Sequence, residues 1–398
     1  MEPRLKLFSA DDHIIEHPRV WTDRVPAKYR DLAPHIIDED GSEFWAYEDK
    51  RGLTPGLSAV AGKANQHWRP DPLRFTDMIP GCYDPAARAK DMLADGILAS
   101  VNFPSLPRFG GALFLGFNDK SLAEVCVQAY NDFVIDEWCA GGPPGLFVPS
   151  AITPLWDPVL AAKEIRRCAT KGLRTVFLPE NCVPLGLPSY WEDSWDPIWQ
   201  ACEELDLPIC MHIGSSGYVI DPSPETTLPG GVAPSEWGKA HLVRIALMQV
   251  GSIASSVNLM FSPVCRKHPG LKFVFSEGGI GWVPNALERA DRMWDRHRAH
   301  QGLSGMKPSE IFRRNMFVCM IEEPICLKYR HDIGVENILW ESDYPHADTV
   351  WPHSQESARE IFDEAQVPDD EVAAITHRNA ERIFNWTMAT PSPVPVSV

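Results

Sequence analysis

The chain is 398 residues long, 44% hydrophobic, with a formal charge of −17, long enough for one large α/β barrel or two ordinary domains. The acidic balance and the lack of any Lys/Arg-rich block exclude a nucleic-acid or anionic-membrane surface. No run of about 18 apolar residues suggests a membrane span, and the opening "MEPRLKLFSADD" lacks the apolar stretch of a signal peptide, so the expectation is a soluble, cytoplasmic protein. The ten cysteines are scattered singly with no C-x-x-C pair, which reads as reduced core residues.

The apolar run "LKLF" leads into "SADDHIIEHP", where Asp11, Asp12, His13 and Glu16 crowd a strand end. Side chains alternate along a strand, so Asp11 and His13 face one way and Asp12 the other. A carboxylate and an imidazole sharing a face suit a divalent metal, though a hydrated strand end reads the same way. Residues 19–96 are rich in Trp, Pro and charge and too long for a connecting loop. They read as an insertion over the mouth of the fold.

Further on, short apolar runs alternate with amphipathic segments. "ILASVNFPS" (97–105) and "GLFVPSAI" (145–152) read as strands, and "DPVLAAKEIRRCATKG" (157–172) as a helix capped by Asp157, with Pro158 at its first position and Gly172 as its stop. The unit repeats through "LRTVFL" (173–178), the helix "DPIWQACEELD" (196–206), and the strands "PICMHIG" (208–214), "LKFVFSEGG" (271–279), "MFVCM" (316–320) and "NILWESD" (337–343). Eight parallel strands closing into a (β/α)8 TIM barrel, with an insertion after strand 1, is the economical solution. A doubly wound sheet is disfavoured because no G-x-G-x-x-G follows the first strand. The barrel is expected to span 1–388, followed by a flexible Pro-rich tail, 389–398.

In such a barrel the C-terminal strand ends converge on one face. This chain places Asp11, His13, His212, Glu277, Asp343 and His346 there. Singly, each has a structural alternative: a core histidine, a helix cap, an Asx turn before Pro345. Together they point to a metal site.

In this order and spacing, "SADDHIIEHP", "PICMHIG", "SEGGIGWVP" and "ESDYPH" resemble the amidohydrolase-2 group of the amidohydrolase superfamily, which is related to aminocarboxymuconate-semialdehyde decarboxylase. The resemblance implies a barrel binding one divalent metal, zinc first and manganese second. By position the ligands would be Asp11, His13, His212 and Asp343. Glu277 departs from the pattern, because the decarboxylases of that group usually carry His at this step. The resemblance also implies a homodimer or higher oligomer, and the apolar area that a Trp- and Pro-rich insertion would expose suggests that part of 19–96 or the helix "SLAEVCVQAYNDFVIDEWCA" (121–140) lies between subunits, unless the barrel alone covers that helix's apolar stripe.

The first expectation for activity is hydrolysis of a small, aromatic or hydrophobic carbonyl substrate by metal-activated water, with Asp343 as base and Glu277 and His346 as proton shuttles. The alternatives are non-oxidative decarboxylation of an aromatic or enol carboxylate, with Arg108 and Arg174 as anion binders, and a barrel that binds a ligand without catalysis. Trp45, Trp68, Trp237 and Trp282 either line an aromatic pocket or pack the insertion. The loop 215–237 is expected to shape the pocket.

Overall fold

The computed structural model describes residues 4–39, 41–52, 54, 56–69, 74–217 and 234–390, and the side chains of 234–244 lie outside the description. Most of the expected pocket loop, residues 218–233, the Trp237 side chain and residues 391–398 of the expected tail therefore lie outside the described residues. Strand β1 (Leu7–Ile14) is buried along its whole length. A separate antiparallel sheet follows, made of β2 (His35–Glu39), β3 (Ser42–Tyr47) and β4 (Lys50–Gly52). The main fold resumes with β5 (Ile97–Pro104), β6 (Phe147–Val148), β7 (Ser150–Ala151), β8 (Thr175–Phe177), β9 (Ile209–His212), β10 (Phe273–Ser276), β11 (Met316–Met320) and β12 (Ile338–Trp340).

Every pairing among these strands is parallel. β6 and β7 are two halves of one strand, split at Pro149, which has no N–H to give to a ladder. The seam closes where the Asp343 N–H donates to the Asp11 carbonyl at 2.8 Å and the His13 N–H to the Tyr344 carbonyl at 2.7 Å. Eight strands thus form a closed TIM barrel, and all eight expected strands are present. Their buried Val, Ile, Leu and Phe bodies fill the barrel and the layer beneath its helices, as strands covered on both faces require.

Local signals position the helices. Asp157 accepts from the N–H groups of Val159 and Leu160 and Pro158 opens the helix Pro158–Ala169, which satisfies donors that a helix start leaves free. The same device opens Pro85–Asp95, where Asp84 accepts from the Ala87 N–H and Gly96, at φ +85°, ends the helix. This helix lies within the stretch read as insertion, and it is a barrel helix leading straight into β5.

The β2–β4 sheet packs through Trp45, edge-on to Trp21 at 5.4 Å, and Tyr47, stacked on Phe117 at 5.2 Å. In the helix Lys120–Phe133, Leu122, Cys126, Ala129, Tyr130 and Phe133 are buried by this chain itself. All ten cysteines are free, eight of them buried. At the base, Trp386 Nε1–H donates to the Gly145 carbonyl at 2.9 Å and the Ala389 N–H to the Leu98 carbonyl at 3.0 Å, tying the described end of the chain to the strand starts. Among the described residues no helix is long and apolar enough to cross a membrane.

Candidate metal centre

Asp11, His13, His212 and Asp343 meet at the C-terminal end of the barrel, each offering a ligand atom within 4.8 Å of the others. His13 Nε2 lies 3.3 Å from Asp11 Oδ1 and 3.1 Å from Asp343 Oδ1. His212 Nε2 lies 3.1 Å from His13 Nε2 and 3.4 Å from Asp11 Oδ2. The alternation expected of β1 holds: Asp12 turns away from the centre, where its Oδ1 accepts from the Ser9 hydroxyl at 3.0 Å and the Tyr344 N–H at 3.1 Å. His212 Nδ1 is 2.6 Å from the Ile213 carbonyl. A proton held there leaves the Nε2 lone pair for a cation.

Whether these residues fit a cation can be judged from their unmet bonding. Among the described residues the four carboxylate oxygens of Asp11 and Asp343 have no well-formed hydrogen bond, only imidazole nitrogens at 3.1–3.4 Å, although both residues are fully buried. Buried charges persist when paired or when they coordinate a metal. Two carboxylates and two imidazoles around one point are a donor set for a divalent ion.

The field within the cluster is strongly acidic. Burial, reinforced by the charges of Glu341, Asp343 and Glu277, pushes the Asp11 carboxyl well above its usual range. Burial lowers His13 far below an ordinary histidine and His212 to about 4. Asp343 runs the other way: burial alone would raise it, but the imidazoles of His346 and His13 hold it below the usual carboxylate range.

Glu277 and His346 flank the four. Glu277 Oε2 is 3.1 Å from His212 Nε2, and its backbone sits at φ +55°, as does that of Asp343. Such conformations are costly for residues other than glycine and gather where side chains must be aimed. Both oxygens of buried Glu341 accept from the Glu277 N–H at 3.1 Å, and Trp282 Nε1–H caps the carbonyls of Gly278 and Gly279. The His346 ring stacks on His13 at 3.5 Å with Nδ1 3.3 Å from Asp343 Oδ1. A cavity of about 500 Å³ opens beside Glu277, lined also by Glu341, Asp348 and Glu323 and, from the segment 19–96, by Asn65 and Trp68.

Other expected residues fall elsewhere. Arg174 precedes β8, at the strand starts, with its guanidinium 5.9 Å from the Trp386 ring. It sits on the face opposite the centre and binds no substrate anion there. Arg108 is exposed on the loop after β5. Of the tryptophans, Trp45 is buried packing, Trp282 holds the Glu277 turn, and Trp68 lines the cavity. The sequence reading missed Phe109, whose ring lies 3.9 Å from His212 and 4.9 Å from His13. It also missed Glu341, although its position two residues before Asp343 places it on the same strand side.

The Amidohydrolase family profile matches residues 35–386, and the chain belongs to that family. A γ-resorcylate decarboxylase of Rhodococcus jostii strain RHA1 is 26% identical over 271 residues, covering 64% of this chain and 74% of that protein. An amidohydrolase of Mycobacterium avium subsp. paratuberculosis K-10 superposes with a TM-score of 0.72 at 20% identity, over 96% of this chain and 100% of that one. A dihydroxybenzoic acid decarboxylase of Polaromonas sp. JS666, solved with manganese and the inhibitor 2-nitroresorcinol, superposes with a TM-score of 0.57 at 18% identity, over 96% and 97%.

Proposed function

We propose that the chain is a metal-dependent, non-oxidative decarboxylase of a hydroxylated aromatic carboxylate. The observation that carries this reading is the buried four-donor cluster, with its unsatisfied carboxylate oxygens, in contact with Glu277, which also lines a cavity that Trp68 borders. The resemblance to γ-resorcylate and dihydroxybenzoic acid decarboxylases supports decarboxylation over the hydrolysis expected first from the sequence.

Asp11, His13, His212 and Asp343 would hold the ion. Manganese is preferred over zinc, because two carboxylates make a hard donor set and the Polaromonas relative was solved with manganese. When bound, the ion supplies positive charge to hold a carboxylate and a neighbouring hydroxyl oxygen. Trp68, which lines the cavity, offers a face for the substrate ring. In the reaction the bond from ring carbon to carboxylate breaks, carbon dioxide leaves, and the electron pair stays on the ring carbon until a proton is added. Glu277 is assigned as that acid because it both lines the cavity and touches His212.

The test is a panel of mono- and dihydroxybenzoates offered to the manganese-loaded protein, with carbon dioxide measured directly, beside a panel of aryl esters, amides and lactones. Carbon dioxide from at least one benzoate is expected. Hydrolysis of a panel member without any carbon dioxide would return the reading to a hydrolase.

A further inference from the structure

We infer that Arg88 is a positioning residue for the metal centre, fixing the two strand ends that carry His13 and Asp343 relative to each other; this rests on the four-donor cluster being a divalent-metal site. Arg88 is fully buried. Its guanidinium makes three hydrogen bonds, all to neutral oxygens: Nη2–H to the His13 carbonyl at 2.6 Å, Nε–H to the Gly81 carbonyl at 2.7 Å and Nη1–H to Asn102 Oδ1 at 3.1 Å. The same group lies 4.1 Å from the ring of Tyr344, the residue after Asp343.

One planar cation thus spans the barrel seam. It grips β1 at the backbone of a ligand, reaches β5 through Asn102, and lies on the ring that follows the last ligand. Each partner is itself held. The Asn102 amide donates to the Ser100 carbonyl at 3.1 Å and hydroxyl at 2.8 Å, which turns Oδ1 toward Arg88. The Tyr344 hydroxyl donates to Asp91 Oδ2 at 2.8 Å, on the helix that carries Arg88. Gly81 leaves room for this arrangement, since a Cβ there would stand 2.4 Å from the Tyr344 hydroxyl and 2.0 Å from Asp91 Oδ2.

Among the described residues no carboxylate hydrogen-bonds Arg88, and the charge it faces is that of buried Asp12, the β1 acid that turns away from the cluster. Residues that orient metal ligands typically change metal affinity ten- to a hundredfold when removed. Lysine cannot replace the planar fork, because one ammonium cannot meet three acceptors in that geometry.

The experiment compares manganese binding by titration and the Mn²⁺ paramagnetic resonance spectrum for wild type, Arg88→Met, Arg88→Lys and Ile165→Ala. Ile165 is buried on a remote helix, Pro158–Ala169, and serves as a control for lost stability. Expected are affinity at least about tenfold weaker with an altered spectrum in Arg88→Met, an intermediate loss in Arg88→Lys, and an unchanged affinity in Ile165→Ala despite its lower melting temperature. If Arg88→Met does not fold, Arg88→Lys decides. Wild-type affinity and spectrum in a folded Arg88 variant, or an equal loss in Ile165→Ala, overturns the inference. Failure of the wild type to bind manganese or zinc instead overturns the metal-site reading beneath it.

Discussion

The backbone N–H of Asp343 donates to the carbonyl of Asp11 at 2.8 Å. Two acids 332 positions apart in sequence are thereby neighbours across the closing seam of the barrel, and their side chains enter the same buried cluster. The four-donor cluster is built on the joint between the first and last strands, so closing the barrel is what brings Asp11 and Asp343 together. His212, from the opposite arc of the barrel, completes it.

His212→Ala should remove the ion without unfolding the barrel. The side chain sits at the end of β9, beyond the apolar contacts that hold the strand. Metal affinity is expected to fall more than about a hundredfold, with the melting temperature of the metal-free protein shifting by only a few degrees. Retention of stoichiometric metal, measured by elemental analysis, would make His212 a packing residue.

Glu277→Gln and Asp343→Asn should separate proton delivery from metal holding. Glu277→Gln is expected to lower turnover about a hundredfold or more while metal affinity stays within a few-fold. Asp343→Asn is expected to weaken metal binding and nearly abolish turnover together, since the amide keeps one donor oxygen but loses the charge. Near wild-type turnover in Glu277→Gln would move the acid to Asp343 or His346.

Glu16 predicts a pH dependence of stability. Its two oxygens accept from the N–H groups of Ser105 and Leu106 at 2.9 and 2.8 Å, and burial lifts its carboxyl to about 7. A carboxyl raised on folding is no burden below its unfolded value near 4.5; it costs stability as the pH climbs from there to about 7, by roughly 3 kcal/mol at most. Glu16→Gln removes the titration. The stability of Glu16→Gln relative to wild type should therefore rise between pH 5 and pH 8 in urea unfolding, and a constant difference would show that Glu16 is charged in the fold.

The barrel was legible because it rests on local signals. Asp157-Pro158 and Gly172 mark a helix start and stop, and apolar runs of strand length recur between such helices. Asp84-Pro85 and Gly96 carry the same signature, yet the surrounding Trp- and Pro-rich composition drew that helix into the insertion. The four clustered donors could be read by combining strand-end position with resemblance. Arg174 was misplaced although it precedes its strand, which alone assigns it to the opposite face. Arg88 was not legible, because a lone arginine on an amphipathic helix reads as solvent-facing, and only the closed seam shows that it points inward.

Metal-dependent decarboxylation is tested most directly by running the most active hydroxybenzoate in D₂O with three preparations: metal-stripped, manganese-restored, and His212→Ala treated with manganese. Carbon dioxide is expected from the restored enzyme alone, in a one-to-one ratio with a product carrying a single deuterium at the carbon that lost its carboxylate. Equal carbon dioxide from the stripped protein, or a product without ring deuterium, would contradict it.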